Sequence, residues 1–164
     1  MNAILLYESL FGNTAAVARA IADGLRSIGE VTLSLFEEVP EALAKEADLL
    51  VLGGPTHGWG MTKPTSRTSR QAQGYIVGAR EWLERSGPTQ GAKAAAFDTR
   101  FDKPRWLTGS AALRIGRQLG RKGYQLVVPP ESFFVQHTDG PLKQGEENRA
   151  RGWGAELARR VTGS

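Results

Sequence analysis

The chain contains no cysteine. That excludes disulfides, thiolate-bound zinc, iron–sulfur clusters and thiol catalysis, and it fits a reducing compartment. No apolar run comes near the roughly 18–20 residues that a membrane span needs. No secretory leader is expected, since Met1-Asn2 leads straight into a short run ending at Glu8, without a basic stretch ahead of about 7–15 apolar residues. These absences lead to the expectation of a cytoplasmic protein with no membrane contact. Neither G-x-x-x-x-G-K-S/T nor a G-x-G-x-x-G after the first apolar run occurs, so the common nucleotide-phosphate fingerprints do not apply. No internal repeat or linker interrupts the sequence.

What is present suits one domain over residues 1–164. Its length lies within the usual range of about 100–200 residues. Hydrophobic residues make up 40% and charged residues 23%, a globular balance that rules out a disordered chain. The 21 Lys+Arg against 17 Asp+Glu give a net charge of +4, mildly basic and not by itself a sign of nucleic-acid binding.

Ala3-Ile4-Leu5-Leu6-Tyr7 is short, wholly apolar and closed by a turn, the pattern of a strand covered on both faces. Val17, Ala20, Ile21, Gly24, Leu25 and Ile28 recur at helical spacing. Val31, Leu33 and Leu35 alternate with Thr32 and Ser34, as expected of a half-exposed edge strand. A short helix over residues 41–45 precedes a second apolar strand over 48–52. Residues 55–74 carry Gly, Pro, Ser, Thr and Arg without periodicity, and loops that long in a compact domain are usually functional or disordered. Helical spacing resumes at Tyr75, Ala79, Trp82 and Leu83. A strand is expected over 93–97 and a helix through Ala112, Ile115, Gly116 and Leu119. A fifth strand over 124–128 is broken at Pro129-Pro130 and continues through Phe133-Phe134-Val135. A closing helix is expected from about Gln144 to Arg160. Strand and helix alternate five times, which implies a parallel sheet with helices on both faces.

In such sheets ligands sit beyond the carboxyl ends of the strands, where strand order reverses. Three segments there carry the chemistry: residues 9–14, residues from 55 onward, and residues 98–105. The first, Ser9-Leu10-Phe11-Gly12-Asn13-Thr14, opens a helix with two hydroxyls, an amide and a glycine but no lysine. Two readings compete. Unpaired N–H groups and the helix dipole would hold a phosphate through neutral donors, or Ser9, Asn13 or Thr14 simply caps the helix.

Ser9-x-Phe11-Gly12-Asn13-Thr14 resembles the phosphate loop of the flavodoxin family. The resemblance continues in Gly53-Gly54-Pro55-Thr56-His57-Gly58-Trp59-Gly60 and in Gly140-Pro141-Leu142 through Trp153-Gly154, and so runs along essentially the whole chain. It implies a flavodoxin-like three-layer sandwich, α/β, with a five-stranded parallel sheet of order 2-1-3-4-5 and FMN as cofactor. By position, Ser9, Leu10, Phe11, Gly12, Asn13 and Thr14 would bind the FMN phosphate. Pro55, Thr56, His57, Gly58, Trp59 and Gly60 would wrap the isoalloxazine, with Trp59 stacked on it or else packed beneath the loop. Asp98, Thr99, Arg100 and Phe101 would close the pyrimidine side. No metal and no acid–base catalytic pair is implied.

Two departures from the family stand out. Its carriers are typically acidic, and its third loop usually holds an aromatic in an acidic setting; here Phe101 lies among Arg100, Lys103 and Arg105. A cation beside the ring favours the reduced flavin, so a less negative potential is expected, and an acidic redox partner rather than a basic one. The resemblance implies an electron-transfer protein, monomeric or weakly dimeric. The alternatives are an NAD(P)H-dependent quinone or flavin reductase, and a flavin-free binding or regulatory module of the same fold. His57, His137 and the basic residues Lys63, Arg67, Arg70, Arg114, Arg117, Arg121 and Lys122 read first as solvated surface.

Overall fold

A computed structural model describes residues 1–56 and 78–163. In chain order the elements are β1 (Asn2–Tyr7), α1 (Asn13–Leu25), a 3-10 turn (Arg26–Ile28), β2 (Glu30–Leu35), α2 (Glu41–Lys45) and β3 (Leu49–Pro55). They continue with α3 (Ala79–Arg85), β4 (Lys93–Phe101), α4 (Arg105–Thr108), α5 (Ala111–Arg121), β5 (Gln125–Leu126), β6 (Glu131–Val135) and α6 (Glu146–Thr162).

The strands pair in the order β2-β1-β3-β4-β5, every pair parallel, and β6 also pairs with β4. The described sheet therefore has six strands where the sequence reading expects five. The extra strand is the fifth one in two pieces. β5 pairs with Lys93 and Ala94, and β6 pairs further along the same strand, from Phe97 to Phe101. Pro129 and Pro130 lie between them, and proline has no N–H to give to the ladder.

Side-chain alternation along the strands divides the core into two. Ile4, Leu6, Leu50 and Leu52 pack with Trp82, Leu83, Ile115 and Leu119 on the α3/α5 face. Leu5, Val51 and Phe97 pack with Val17, Ile21, Leu25 and Leu157 on the α1/α6 face. β2, at the sheet margin, is only partly buried, as its alternating sequence requires.

Helices α1 and α6 meet backbone to backbone. A Cβ on Gly154 would strike the Ile21 carbonyl, and one on Gly24 would strike the Arg151 carbonyl. This close approach fixes the helix whose N-terminus faces the carboxyl end of the sheet.

β4 extends four residues beyond its expected end at 97, so Asp98, Thr99, Arg100 and Phe101 are strand rather than loop. β3 likewise runs on through Gly53 and Gly54 to Pro55. α4 has no counterpart in the sequence reading. The closing helix lies at 146–162, displaced two residues from the expected span. Tyr75 and most of the 55–74 segment fall outside the described residues.

Candidate functional site: a cleft at the carboxyl ends of β1, β3 and β4

The turn between β1 and α1 is built around Ser9. Its Oγ accepts the N–H of Gly12 at 3.1 Å and that of Ala15 at 3.3 Å. Gly12 stands at φ +87°, in the left-handed region where a Cβ is disfavoured. The capping reading is thus realised in Ser9. Ser9 caps the third amide of the helix, while the N–H groups of Asn13 and Thr14 find no partner among the described residues. No acidic side chain stands in the first turn of α1. The Thr14 hydroxyl is turned inward, 2.8 Å from the Thr99 hydroxyl, and locks the helix start to β4. The Asn13 amide packs against Gly140, leaving no room for a Cβ there.

The end of β4 is organised by charge instead. Alternation sends Thr99 toward α1 and Asp98 toward α5. Asp98 is fully buried, and its Oδ2 accepts from the Thr56 hydroxyl at 2.9 Å, the Ser110 hydroxyl at 2.8 Å and the Ala112 N–H at 3.0 Å. Thr56 in turn accepts the Ala111 N–H at 2.9 Å. One carboxylate thereby joins the tips of β3 and β4 to the start of α5.

Arg100 is also buried. Its Nε donates to Ser132 Oγ at 2.9 Å, and its Nη1 to the carbonyls of Phe101 and Lys103 and to Thr108 Oγ1. Its guanidinium lies 5.1 Å from the centre of the Phe134 ring. Desolvation lowers its pKa from the ordinary arginine value, against the favourable charge of Asp98. Its cation braces the chain that follows β4.

A second charged clamp holds β6. Glu146 accepts the Phe134 N–H at 2.7 Å and pairs with Arg149 at 2.7 Å, and Arg149 also donates to the Ser132 carbonyl. Burial pushes the Glu146 carboxyl up, but the Arg149 hydrogen bond and the Phe134 N–H outweigh it, so its pKa lies below the usual glutamate value.

Between these parts lies a shallow cleft that opens to solvent. Leu10, Phe11, Asn13 and Thr14 form one wall, Pro55 and Thr56 the floor, and Thr99, Arg100 and Phe101 the other wall. Phe11 and Phe101 are 46% and 40% exposed, high for phenylalanine. Nine of the site residues expected from sequence thus line one space. Ser9 and Gly12 shape its wall without lining it, and Asp98 points away beneath the other face of the sheet. His57, Gly58, Trp59 and Gly60 lie outside the described residues, as do Lys63, Arg67 and Arg70. His137 is exposed, as expected.

Val135 and Thr138 complete the cleft, and the sequence reading did not single them out. The available signal was the run Phe133-Phe134-Val135: once it is placed as a strand beside β4, its carboxyl end falls at the same edge as the others.

A doubly wound parallel sheet with an uncharged turn at the head of its first helix defines the α/β class whose ligand clefts lie at the carboxyl ends of the strands. The flavodoxin family model matches residues 5–99, and the chain belongs to the flavodoxin family. A flavodoxin from the domain Archaea superposes with a TM-score of 0.72 at 24% identity, covering 99% of both chains. A segment of 46 residues is 41% identical to an NAD(P)H dehydrogenase (quinone) of Solidesulfovibrio magneticus, covering 28% of this chain and 22% of that protein. Another of 64 residues is 36% identical to the diflavin flavoprotein A 3 of Synechocystis, covering 35% of this chain and 11% of that protein. The matches thus span well under a third of either relative.

FMN is the family's cofactor, and the residues present suit it. Free amides at an uncharged helix start match a phosphate. Two exposed phenyl rings across an open cleft match a flat aromatic ring.

Proposed function

We propose that the chain binds FMN in this cleft and serves as an electron-transfer flavoprotein. The observation that carries the reading is the 9–14 turn: a helix start with two free N–H groups, no charged side chain, and an aromatic-walled space beside it. Bound FMN supplies the electron chemistry, so the protein needs no acid–base pair of its own.

The chain's residues bind and orient. The Asn13 and Thr14 amides, with the Ser9 hydroxyl proton, take the phosphate. Ser9 and the Thr14–Thr99 bridge hold that turn in its binding conformation before the ligand arrives, which lowers the cost of binding. Phe11 and Phe101, exposed in the cleft, would supply apolar contact to the flavin. Trp59, expected from the resemblance to stack on the ring, and its neighbours His57, Gly58 and Gly60 belong to the same proposal. A cytoplasmic location accords with it.

A second reading, an NAD(P)H-dependent quinone or flavin reductase, is favoured by the similarity to a quinone-reducing dehydrogenase. Adding FMN to the purified protein and recording the flavin absorbance bands tests the binding step. Stoichiometric uptake is expected, and none at all would sink both readings. Mixing the loaded protein with NADH or NADPH in stopped flow then separates them, because rapid bleaching belongs to the reductase and slow or absent bleaching to the carrier.

A further inference from the structure

Immediately beyond the cleft wall the chain exposes apolar side chains that a fold ordinarily hides. Residues 101–107 are all exposed, and α4 buries none of its four residues. Trp106 is 73% and Leu107 51% exposed. This is an ordered projection. Arg100 holds the Lys103 carbonyl at 2.6 Å and Thr108 Oγ1 at 3.2 Å from beneath, and the Leu107 and Gly109 amides close the turn onto Pro104 and Arg105. A buried cation thus fixes a turn whose own side chains contribute no core.

The charges around it have one net sign. Lys103 and Arg105 closely precede the tryptophan in the chain, and Asp102 is paired with Lys143 at 2.8 Å, so no unpaired acid remains in residues 101–109. Preorganised tryptophan beside arginine is the composition of an interface hot spot.

We propose that Trp106 and Leu107, preceded in the chain by Lys103 and Arg105, form the docking surface for an acidic redox protein that offers an apolar pocket. The inference rests on the electron-carrier reading above and adds to it the partner's charge and the anchoring residue. Phe101 belongs to both the cleft wall and this exposed run, so a partner seated on α4 lies against the cleft. A second copy of the chain suits the surface poorly, because a two-fold contact would set Lys103 and Arg105 against their own copies.

The test uses FMN-loaded protein, an acidic 2Fe–2S ferredoxin and a basic c-type cytochrome as probes, with binding read by calorimetry and electron transfer by stopped flow. The ferredoxin is expected to bind at low salt and the cytochrome at least tenfold more weakly. Trp106→Ala should weaken ferredoxin binding about tenfold or more, and Arg105→Glu should weaken it and flatten its salt dependence. Both variants should keep the wild-type flavin absorbance. Loss of flavin uptake in the wild type would count against the electron-carrier reading, whereas full uptake with unchanged ferredoxin binding in Trp106→Ala overturns the docking surface alone. Preference for the cytochrome overturns it too, as does Trp106-dependent dimerisation in sedimentation, or binding to phosphatidylglycerol vesicles in place of ferredoxin.

Discussion

The two turns that face each other across the cleft are built by opposite means. The β1–α1 turn is uncharged, and a single serine oxygen organises it while leaving amides free at the helix start. The tip of β4 is braced by a buried aspartate and a buried arginine, each with several protein partners. A turn meant to receive an anion keeps its donors unspent. A turn meant to hold a wall and a projecting helix spends its charges internally. On the proposed function, the same sheet edge separates ligand capture from scaffolding.

Substitutions should divide along that line. The largest effect on stability is expected from Asp98→Ala, which strands two hydroxyls and the Ala112 amide; urea unfolding should show a loss of about 3 kcal/mol or more. Arg100→Met leaves two carbonyls and two hydroxyls without their donor and should cost about 2 kcal/mol. Faster amide exchange should then appear at Leu107 and Gly109 but not at Ala15, and equal loosening of both turns would break the comparison.

On the other side, Gly12→Ala forces a Cβ into the left-handed region at a cost of about 1–2 kcal/mol. Here the main consequence should be lost FMN affinity, about tenfold in a fluorescence titration, with the β4 side unaltered.

The smallest effect concerns pH. Glu146 and Asp102 both have folded pKa values below their ordinary ones. For Glu146 burial opposes the shift and the Arg149 and Phe134 bonds prevail; for Asp102 the Lys143 hydrogen bond is the main cause. A depressed carboxylate stabilises the fold above its unfolded pKa, and that stability is lost as pH falls through the folded value. Acid titration below the ordinary carboxylate range of about pH 4 should therefore loosen the β4–β6 side, read as earlier amide exchange at Phe134. The 9–14 turn has no titratable side chain and should not respond directly.

The division also explains what was legible in the sequence. β1 and β3 announce themselves as apolar runs, β2 as an alternation, and the 9–14 turn as a contiguous motif, since its organising contacts are only three and six residues apart. The end of β4 does not, because polar Asp98, Thr99 and Arg100 read as loop. They are buried in a strand only because Thr14, Thr56, Ser110 and Ser132, all distant in sequence, supply their partners. Arg100 accordingly looks from sequence like a free cation beside the ligand, whereas its charge is held among protein acceptors. α4 escapes notice for a related reason: four exposed residues have no periodicity to read, and their support comes from below.

The most direct test of the central claim compares FMN with riboflavin, which shares its ring system and lacks only the phosphate. If the free amides of the 9–14 turn hold an anion, calorimetry should find FMN bound at least about a hundredfold more tightly, a difference of roughly 3 kcal/mol for a phosphate held by charge-assisted hydrogen bonds. Equal affinities for the two would contradict the account.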